Sequence, residues 1–219
     1  MNKATIVWAT PDLDKHLAYI ARVSNPANQD NPDMEKLFSY MMKEGHTSPF
    51  EMANVCVEIV TTRDIARQIL RHRSFSFQEF SQRYQDVNSL EQVPVRECRM
   101  QDKLNRQNSL NTATEDLKEQ WSSMQAEHIK RSSAVYLWAL ENGIAKEQAR
   151  VVLPEGLTAS KMYMNGNMRS WIFYLKARLH NSTQKEHREV AQSILSLLYT
   201  VAPKTMEAFF PKGKTYYVY

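Results

Sequence analysis

One segment, residues 71–84, limits what this chain can fold into more than any other. It reads Arg-His-Arg-Ser-Phe-Ser-Phe-Gln-Glu-Phe-Ser-Gln-Arg-Tyr, which places three arginines and one carboxylate among four aromatic rings. An exposed loop gains little from three phenylalanines, and a packed core does not tolerate three unpaired arginines. We therefore expect the segment to line a pocket for a flat anionic ligand, where guanidinium groups bind phosphate and rings stack on a planar group.

Taken alone, this segment has two functional interpretations and one structural interpretation. In the first, Arg71, Arg73 and Arg83 bind phosphate. Glu79 then accepts a hydrogen bond from a base or a ribose, and Ser81 adds a hydroxyl group. In the second, the segment is the surface of a module that binds single-stranded nucleic acid by charge and stacking. In the structural interpretation, the arginines satisfy carbonyl groups at a helix C-terminus and the phenylalanines pack inward.

The sequence contains no convincing nucleophile or metal site. Ser81 lacks the adjacent base that a serine nucleophile needs, so we expect it to bind by hydrogen bonding. Of the two cysteines, Cys56 lies in an apolar run and Cys98 in a charged one. Neither belongs to a CxxC pair or to a Cys/His pair with metal-ligand spacing, so we expect no metal and no disulfide framework. Unpaired cysteines fit a reducing compartment.

Length and composition predict an ordinary globular protein. The chain has 219 residues, of which 42% are hydrophobic and 24% charged, and this allows a substantial core. A net charge of +4 suits an anionic small molecule at least as well as a nucleic acid. The first residues lack the apolar core of a signal peptide, and no apolar run is long enough to span a membrane. We therefore expect a soluble, cytoplasmic protein.

The hydrophobic patterns predict an α+β fold in one domain, residues 1–219, with a small β-sheet flanked by long helices. Val55–Val60 is rich in β-branched residues and indicates a buried strand. A helix from about Thr114 to Asn142 is expected to start at a capping box formed by Thr112 and Glu115. Its apolar stripe is expected to pack into the core and consists of Leu117, Trp121, Met124, Val135 and Trp138.

Two further segments hold polar groups in unusual settings. Residues 45–51, Gly-His-Thr-Ser-Pro-Phe-Glu, indicate a rigid turn after a helix with polar side chains at its tip, or an ordinary connection to a strand. In residues 148–154, Arg150 interrupts an apolar stretch. An arginine there either binds a buried anion or extends its charged end to solvent.

A fourth segment, residues 167–178, reads as a helix. Trp171, Tyr174, Leu175 and Arg178 share one of its faces, because spacings of three and four residues align on a helix. Arg178 beside these rings either stacks on them or stabilises negative charge that develops on a substrate.

These segments, in this order, resemble the flavin-dependent thymidylate synthases. The family signature is Arg-His-Arg, seven residues, then Ser, and Arg71–Arg73 with Ser81 match it in full. The element His-x-Ser/Thr-Pro-Phe-Glu is similar to His46–Glu51. Further matches lie at Ala21–Ser24, Ala149–Pro154, Asn167–Arg178 and Gln184-x-Glu186. The resemblance covers about residues 20–190.

The resemblance implies reductive methylation of dUMP to dTMP. In the family, methylenetetrahydrofolate donates the carbon, FAD carries the hydride and NADPH regenerates the reduced flavin, without a cysteine nucleophile. The family is homotetrameric, with active sites built from several subunits. The resemblance therefore implies small-molecule partners and neither a nucleic acid nor a membrane partner.

The resemblance also implies roles for individual residues. Arg178 is expected to lie beside the uracil, to favour ionisation at N3 and to be the principal catalytic residue. The other residues expected to bind dUMP are Gln68, Arg71, Glu79, Ser81, Gln82, Arg83 and Arg150. Those expected to bind FAD are Ser24, His46, Ser48, Arg71, His72, Arg73, Gln78, Glu79, Asn167, Arg169 and Phe173. Arg71 and Glu79 appear twice because neighbouring subunits can present one motif to different ligands.

The sequence departs from the commonest family pattern at four positions. Gln78 replaces a frequent asparagine, and Met52 replaces a histidine after Pro-Phe-Glu. Phe173 and Ser182 stand where some members have polar residues that contact the flavin. We expect the reaction to be unchanged and Phe173 to pack against a ring system.

Overall fold

The structure is a computed structural model that describes residues 1–86, 90 and 93–213. Its helices are α1 (Leu13–Ala21), α2 (Glu35–Lys43), α3 (Arg63–Ile69), α4 (Glu115–Glu141), α5 (Lys146–Ala149), α6 (Met168–Arg178), α7 (Lys185–Val201) and α8 (Pro203–Phe209). Its strands are β1 (Lys3–Ala9), β2 (Asn54–Thr62), β3 (Ser76–Glu79), β4 (Met100–Gln101), β5 (Ser109–Leu110) and β6 (Ala159–Asn167).

The strands form one small sheet and one short ladder. The sheet has the order β1-β2-β6-β3, and β4 pairs antiparallel with β5. In β2, Val55, Val57 and Ile59 are fully buried and alternate with half-buried residues, as the two-residue period of a strand requires. The α+β prediction, a small sheet with long helices, is confirmed.

The chain packs as two compact units, each assembled from separate segments. Unit 1 consists of Met1–Asn2, Val60–Arg71 and Glu79–Met162. Unit 2 consists of Lys3–Ile59, His72–Gln78 and the described residues from Tyr163 onward. The prediction of a single domain over residues 1–219 stays a prediction.

The core of unit 2 is built around α6 and is rich in aromatic rings. Trp171, fully buried on α6, donates its indole N–H to the carbonyl oxygens of Val55 and Gly166, each at 3.1 Å. The ring of Phe75 packs edge-on to Trp171 with centroids 4.7 Å apart. A Cβ atom at position 166 would lie 2.4 Å from Cδ1 of Phe75, so only glycine lets β6 pass this ring.

In unit 1, the long helix α4 turns a different face inward from the one predicted. The predicted stripe is exposed, with Met124 at 65% and Trp138 at 59% of their maximal accessible surface. Tyr136 and Ala139 are buried instead and pack with Ala149. The prediction that this stripe packs into the core was therefore wrong. The apolar spacing predicts an amphipathic helix, but it does not predict which face of the helix the rest of the unit covers.

The start of α4 also differs from the prediction. Thr114 is the N-cap, and its side chain accepts a hydrogen bond from the backbone N–H of Leu117. The capping box of Thr112 and Glu115 was therefore wrong by two residues, because both threonines offer the same capping hydroxyl. None of the helices in the described part of the chain is long and apolar enough to cross a membrane.

Candidate active site

The predicted site residues divide between the two units mostly by predicted ligand, and Arg71 and Glu79, which are predicted for both ligands, lie in unit 1. Unit 1 contains the predicted dUMP contacts Gln68, Arg71, Glu79, Ser81, Gln82, Arg83 and Arg150. Unit 2 contains Ser24, His46, Ser48, His72, Arg73, Gln78, Asn167, Arg169, Phe173 and Arg178. Only Arg178 among the predicted dUMP contacts lies in unit 2.

The three arginines of unit 1 that are predicted to bind dUMP have little or no pairing among the described residues. Arg71 is exposed just after α3, and Arg150 is half-buried after α5. Within the described residues, neither guanidinium has a hydrogen bond or an ion pair. Arg83 is exposed, and its Nε lies 3.2 Å from a carboxylate oxygen of Glu147. Such an exposed pair is worth about 0–1 kcal/mol, so Arg83 can exchange it for an anionic ligand.

Glu79, at the end of β3, is held by internal partners. Its carboxylate accepts a hydrogen bond from Oγ of Ser160 over 2.7 Å and lies 3.9 Å from a guanidinium nitrogen of Arg63. The neighbouring Phe80 N–H donates to the carbonyl of Lys161, next to Ser160 on β6. These contacts fix the carboxylate, which leaves its other lone pairs to accept from a ligand.

Gln82 and Ser81 lie beyond β3, and Gln68 is half-buried on α3. Nε2 of Gln82 is buried and has no hydrogen-bond partner within the described residues. A buried amide N–H group without a partner is costly, and a bound ligand can satisfy it. Oγ of Ser81 accepts from the backbone N–H of Arg83 at 3.4 Å, which keeps its own proton available for donation.

In unit 2, Arg178 is fixed by His72. Nε–H of Arg178 donates to Nε2 of His72 over 2.8 Å. Arginine has only donor groups, so Nε2 of His72 must carry a lone pair and the imidazole proton must lie on Nδ1. Burial, reinforced by the charge of Arg178, lowers the pKa of His72 to about 4, so the ring is neutral near pH 7. The other N–H groups of Arg178 have no partner within the described residues.

Further along α6, Arg169 and Phe173 form a cationic and aromatic patch. Nε of Arg169 donates to Oγ1 of Thr47 over 3.1 Å and lies 3.5 Å from a carboxylate oxygen of Glu51. Its Cζ lies 5.0 Å from the centre of the Phe173 ring, which is 47% exposed, and Nζ of Lys176 lies 5.8 Å from the same centre. A ring flanked by two cations suits a planar, anionic ligand.

The start of α6 is tied to the segment that carries His72. Asn167 caps the helix, because its Oδ1 accepts from the backbone N–H of Ser170 over 2.9 Å. The hydroxyl of Ser170 in turn donates to the carbonyl of Ser74 over 3.2 Å. In this segment Arg73 and Gln78 are both exposed. These bonds, together with the contact of Arg178 with His72, hold α6 against the segment His72–Gln78.

Three other predicted flavin contacts lie on exposed turns of unit 2. Ser24 lines a cavity of about 500 Å³ together with Arg22 and Tyr40. The ring of His46 lies edge-on to Tyr40 with centroids 5.8 Å apart. Ser48 begins the 3₁₀ helix Ser48–Met52. Tyr40 thus lines the same cavity as Ser24 and also contacts the ring of His46.

Unit 2 has the groups that FAD requires. Phe173 offers an exposed ring for a planar group, and Arg73 offers an exposed guanidinium without a partner within the described residues. Guanidinium groups suit a diphosphate, and exposed rings suit a flavin or an adenine. The residues present therefore fit this cofactor.

Two residues near Arg178 were missed by sequence reasoning. Tyr174 was placed only as a neighbour of Arg178 on the helix face, and His187 on α7 was not predicted to take part. Their side chains meet, with the hydroxyl of Tyr174 3.1 Å from Nε2 of His187. The one signal in the sequence is the spacing of Tyr174 and Arg178, since His187 lies 115 residues from His72.

Comparisons with known proteins agree in one assignment. Residues 5–204 match the family described as Thymidylate synthase complementing protein. A flavin-dependent thymidylate synthase of Synechocystis sp. is 51% identical over 175 residues, 80% of this chain and 79% of that protein. A probable flavin-dependent thymidylate synthase of Paramecium bursaria Chlorella virus 1 is 45% identical over 204 residues, 93% of each chain.

A solved structure is similar in fold. It is the UMP/dUMP methylase PolB from Streptomyces cacaoi bound with 5-Br dUMP, with a TM-score of 0.81 and 26% identity. The similarity covers 94% of this chain and 93% of PolB.

Proposed function

The chain belongs to the Thymidylate synthase complementing protein family, whose relatives are FAD-containing methyltransferases that make thymidylate, and we propose how its own residues carry out this reaction. The substrate is dUMP, the carbon donor is methylenetetrahydrofolate, and the product is dTMP. When bound, FAD would supply the hydride, and NADPH would restore the flavin to its reduced state.

One observation carries the proposal, the fixed guanidinium of Arg178. Its Nε is held by a neutral His72 at 2.8 Å, which leaves its remaining N–H groups for a ligand. A cation placed against the uracil favours loss of the N3 proton, because it stabilises the negative charge that the ring then carries. Part of that charge is shared by C5, which becomes a better nucleophile toward the donated carbon.

The residues of unit 1 bind and orient the nucleotide in this proposal. Arg71, Arg83 and Arg150 offer guanidinium groups to its phosphate, and Gln82 offers a buried Nε2 group that has no partner within the described residues. Glu79 accepts from the sugar or the base, and Ser81 donates. Orientation of this kind contributes to rate by holding the reacting atoms at near-attack distance.

A cysteine nucleophile has no support in the structure. Both cysteines are free and half-buried. Burial raises the pKa of the Cys56 thiol, which lowers the fraction of reactive thiolate. We therefore propose activation of dUMP by Arg178 without covalent attack by a cysteine. Free thiols also support the expected cytoplasmic compartment.

The exposed face of α4 supports the expected homotetramer. Trp121, Met124 and Trp138 lie on it at 43%, 65% and 59% exposure. Large exposed apolar faces are typical of interaction sites, and a second copy of this chain would cover this one. We propose that subunits associate through this face.

Binding of single-stranded nucleic acid has less support. Within the aromatic segment, Phe75 is buried and Phe77 and Phe80 are half-buried, whereas Tyr84 is 81% exposed. Stacking platforms for nucleic acid need several exposed rings. Small-molecule binding is therefore the better interpretation of residues 71–84.

The proposal is tested by assaying dTMP formation by the purified, FAD-loaded protein. We expect a flavin absorbance spectrum, product that depends on methylenetetrahydrofolate and NADPH, and release of tritium from C5 of labelled dUMP. UMP serves as the comparison substrate, since PolB is described as a UMP/dUMP methylase. A flavin-loaded protein that leaves dUMP unmethylated with all components present would refute the proposal.

A further inference from the structure

A buried polar pair lies directly behind the contact of His72 with Arg178. Tyr174 is on α6, one helical turn before Arg178, and His187 is on the first half of α7. Both side chains are completely or almost completely buried, and the Tyr174 hydroxyl lies 3.1 Å from Nε2 of His187. Buried polar groups of this kind are costly unless they satisfy each other.

The pair is joined to His72 by ring contacts. The ring of Tyr174 meets the His72 ring edge-on, with centroids 4.9 Å apart and an interplanar angle of 75°. The His187 ring lies 6.5 Å from the His72 ring at 86°. Phe75 and Trp171 pack against the other sides of Tyr174, with centroids at 6.1 Å and 5.9 Å. The Tyr174 side chain is thus held by His187, Phe75 and Trp171, and the His72 ring packs against it.

We infer that Tyr174 and His187 are positioning residues that hold the His72 imidazole in the orientation that fixes the Arg178 guanidinium. The inference rests on the proposed function, because it assigns a catalytic role to Arg178. The order of action is a chain of contacts: His187 holds the hydroxyl of Tyr174, Tyr174 supports the ring of His72, and His72 accepts from Arg178.

The electrostatics of the pair agree with this role. Burial, and then the charges of Arg178 and His72, lower the pKa of His187 to about 3. Burial raises the pKa of Tyr174 well above its usual range. Both groups are therefore neutral near pH 7, and they add no charge that would compete for the Arg178 guanidinium. A positioning shell works best when it is rigid and hydrogen-bonded in this way.

The first test measures turnover in single variants. Tyr174→Phe removes the hydroxyl and keeps the ring, and His187→Leu removes its partner. We expect kcat to fall about 10-fold in each, as supporting residues commonly cost 10–100-fold, with FAD content and KM for dUMP within about twofold. His187→Gln retains a polar group within reach of Tyr174 and should recover most of the turnover. The matched control is Tyr199→Phe, which removes a hydroxyl bonded to the Phe210 carbonyl in the same unit.

The second test asks whether the pair acts through Arg178. In an Arg178→Lys background, the Tyr174→Phe change should cost less than about twofold, because the group that it positions is already gone. A purely structural role of Tyr174 would cost the same factor in both backgrounds, and that result would overturn the inference.

The third test does not depend on activity. In protein labelled with ¹⁵N-histidine, His72 should show one protonated nitrogen, Nδ1, and one unprotonated nitrogen, Nε2. Six histidines give a spectrum that single substitutions can assign. We expect Tyr174→Phe to shift the Nε2 resonance of His72, because a ring that is no longer held in place accepts a weaker hydrogen bond from Arg178, while Tyr199→Phe keeps the wild-type pattern. An unchanged His72 spectrum in Tyr174→Phe would refute the inference even if the wild-type enzyme makes dTMP, and failure of dTMP synthesis alone would refute only the proposed function.

Discussion

The arginines predicted to bind dUMP are presented in opposite ways in unit 1 and in unit 2. In unit 1, Arg71 is exposed without an internal partner within the described residues, and Arg83 has one exposed ion pair. In unit 2, Arg178 is half-buried and is held by a neutral imidazole that stands against a buried tyrosine. The first arrangement leaves charges free to adapt to a ligand, whereas the second fixes one charge before any ligand arrives.

In the proposed site, this difference separates substrate binding from chemistry. An exposed arginine contributes affinity when it meets a phosphate, because it gives up little internal bonding. A cation that must stabilise a transition state needs to be in place beforehand, because reorganisation during the reaction raises the barrier. Substitutions in unit 1 should therefore act mainly on substrate affinity, and those around Arg178 mainly on turnover.

The largest effect is expected from Arg178→Ala. We expect kcat to fall about 10³-fold, the upper range for loss of one preorganised group, while the protein keeps its fold and most of its FAD. Steady-state kinetics, flavin absorbance and circular dichroism measure the three properties.

The control for this prediction is Arg188→Ala. Arg188 also lies in unit 2, where it donates to the carbonyls of Asn181 and Thr183, so its loss should lower stability and leave kcat near wild type. Methylation at the wild-type rate by Arg178→Ala would contradict the proposal that Arg178 acts on turnover while the arginines of unit 1 act on substrate affinity.

The second prediction concerns acid stability, which the buried histidines of unit 2 should control. His72 has a folded pKa of about 4 against an ordinary value of 6.5, mainly because of burial. Between these values the unfolded chain binds more protons, so the free energy of unfolding should fall as the pH drops from 6.5 to 4. Above pH 6.5 the histidine contributes no pH dependence.

Urea unfolding at a series of pH values measures this slope. His72→Gln should lower this slope without abolishing it, because His187, whose pKa is about 3, still titrates, whereas His128→Gln on the exposed side of α4 should leave the slope unchanged. Equal slopes in wild type and His72→Gln between pH 6.5 and 4 would contradict a neutral, buried His72.

In unit 1, Arg71→Ala should raise KM for dUMP about 10-fold to 100-fold, the range for one charge-assisted contact, with kcat changed less than about threefold. Arg106→Ala, at an exposed position of the β4–β5 connection, is the control and should leave both constants unchanged. A fall in kcat with KM unaltered would show that Arg71 acts on turnover, as proposed for Arg178, and not on substrate affinity.

The smallest effect is expected from Ser81→Ala, which removes one neutral hydrogen bond. Binding of dUMP should weaken about fivefold, equivalent to about 1 kcal/mol, and turnover should persist. Titration calorimetry with dUMP measures the affinity, and an assay at saturating dUMP measures the turnover. Complete loss of turnover with binding intact would show that the serine is a nucleophile.

The sequence predicted the local structure of the site better than its interior contacts. The spacing of Tyr174 and Arg178 on one helix face is a property of neighbours on the chain, and α6 bears it out. The Arg-His-Arg motif was recognisable because its residues are contiguous. The meeting of His72 with Arg178 and His187 was not predictable, since α6 and α7 approach this motif only through tertiary packing.

The same reason explains the error in α4. A period of three and four residues identifies an amphipathic helix, but it does not say whether the same chain or another molecule covers the apolar face. Trp138 satisfied the pattern and is exposed, while the buried Tyr136 stood outside the predicted stripe. The sequence therefore predicts that α4 exists and not what packs on it.

The segmental composition of the two units has a consequence for protein synthesis. Residues of unit 2 leave the ribosome both before and after nearly all of unit 1, because Lys3–Ile59 comes first and the segment from Tyr163 comes last. The imidazole of His72 is made long before Arg178 and His187 exist, so unit 2 cannot close around it until α6 and α7 have emerged. The centre can therefore form only after α6 and α7 have been made, and a ribosome stalled within α4 would carry a chain that has Arg71 and Arg83, which are proposed to bind the nucleotide, but lacks the group proposed to do the chemistry.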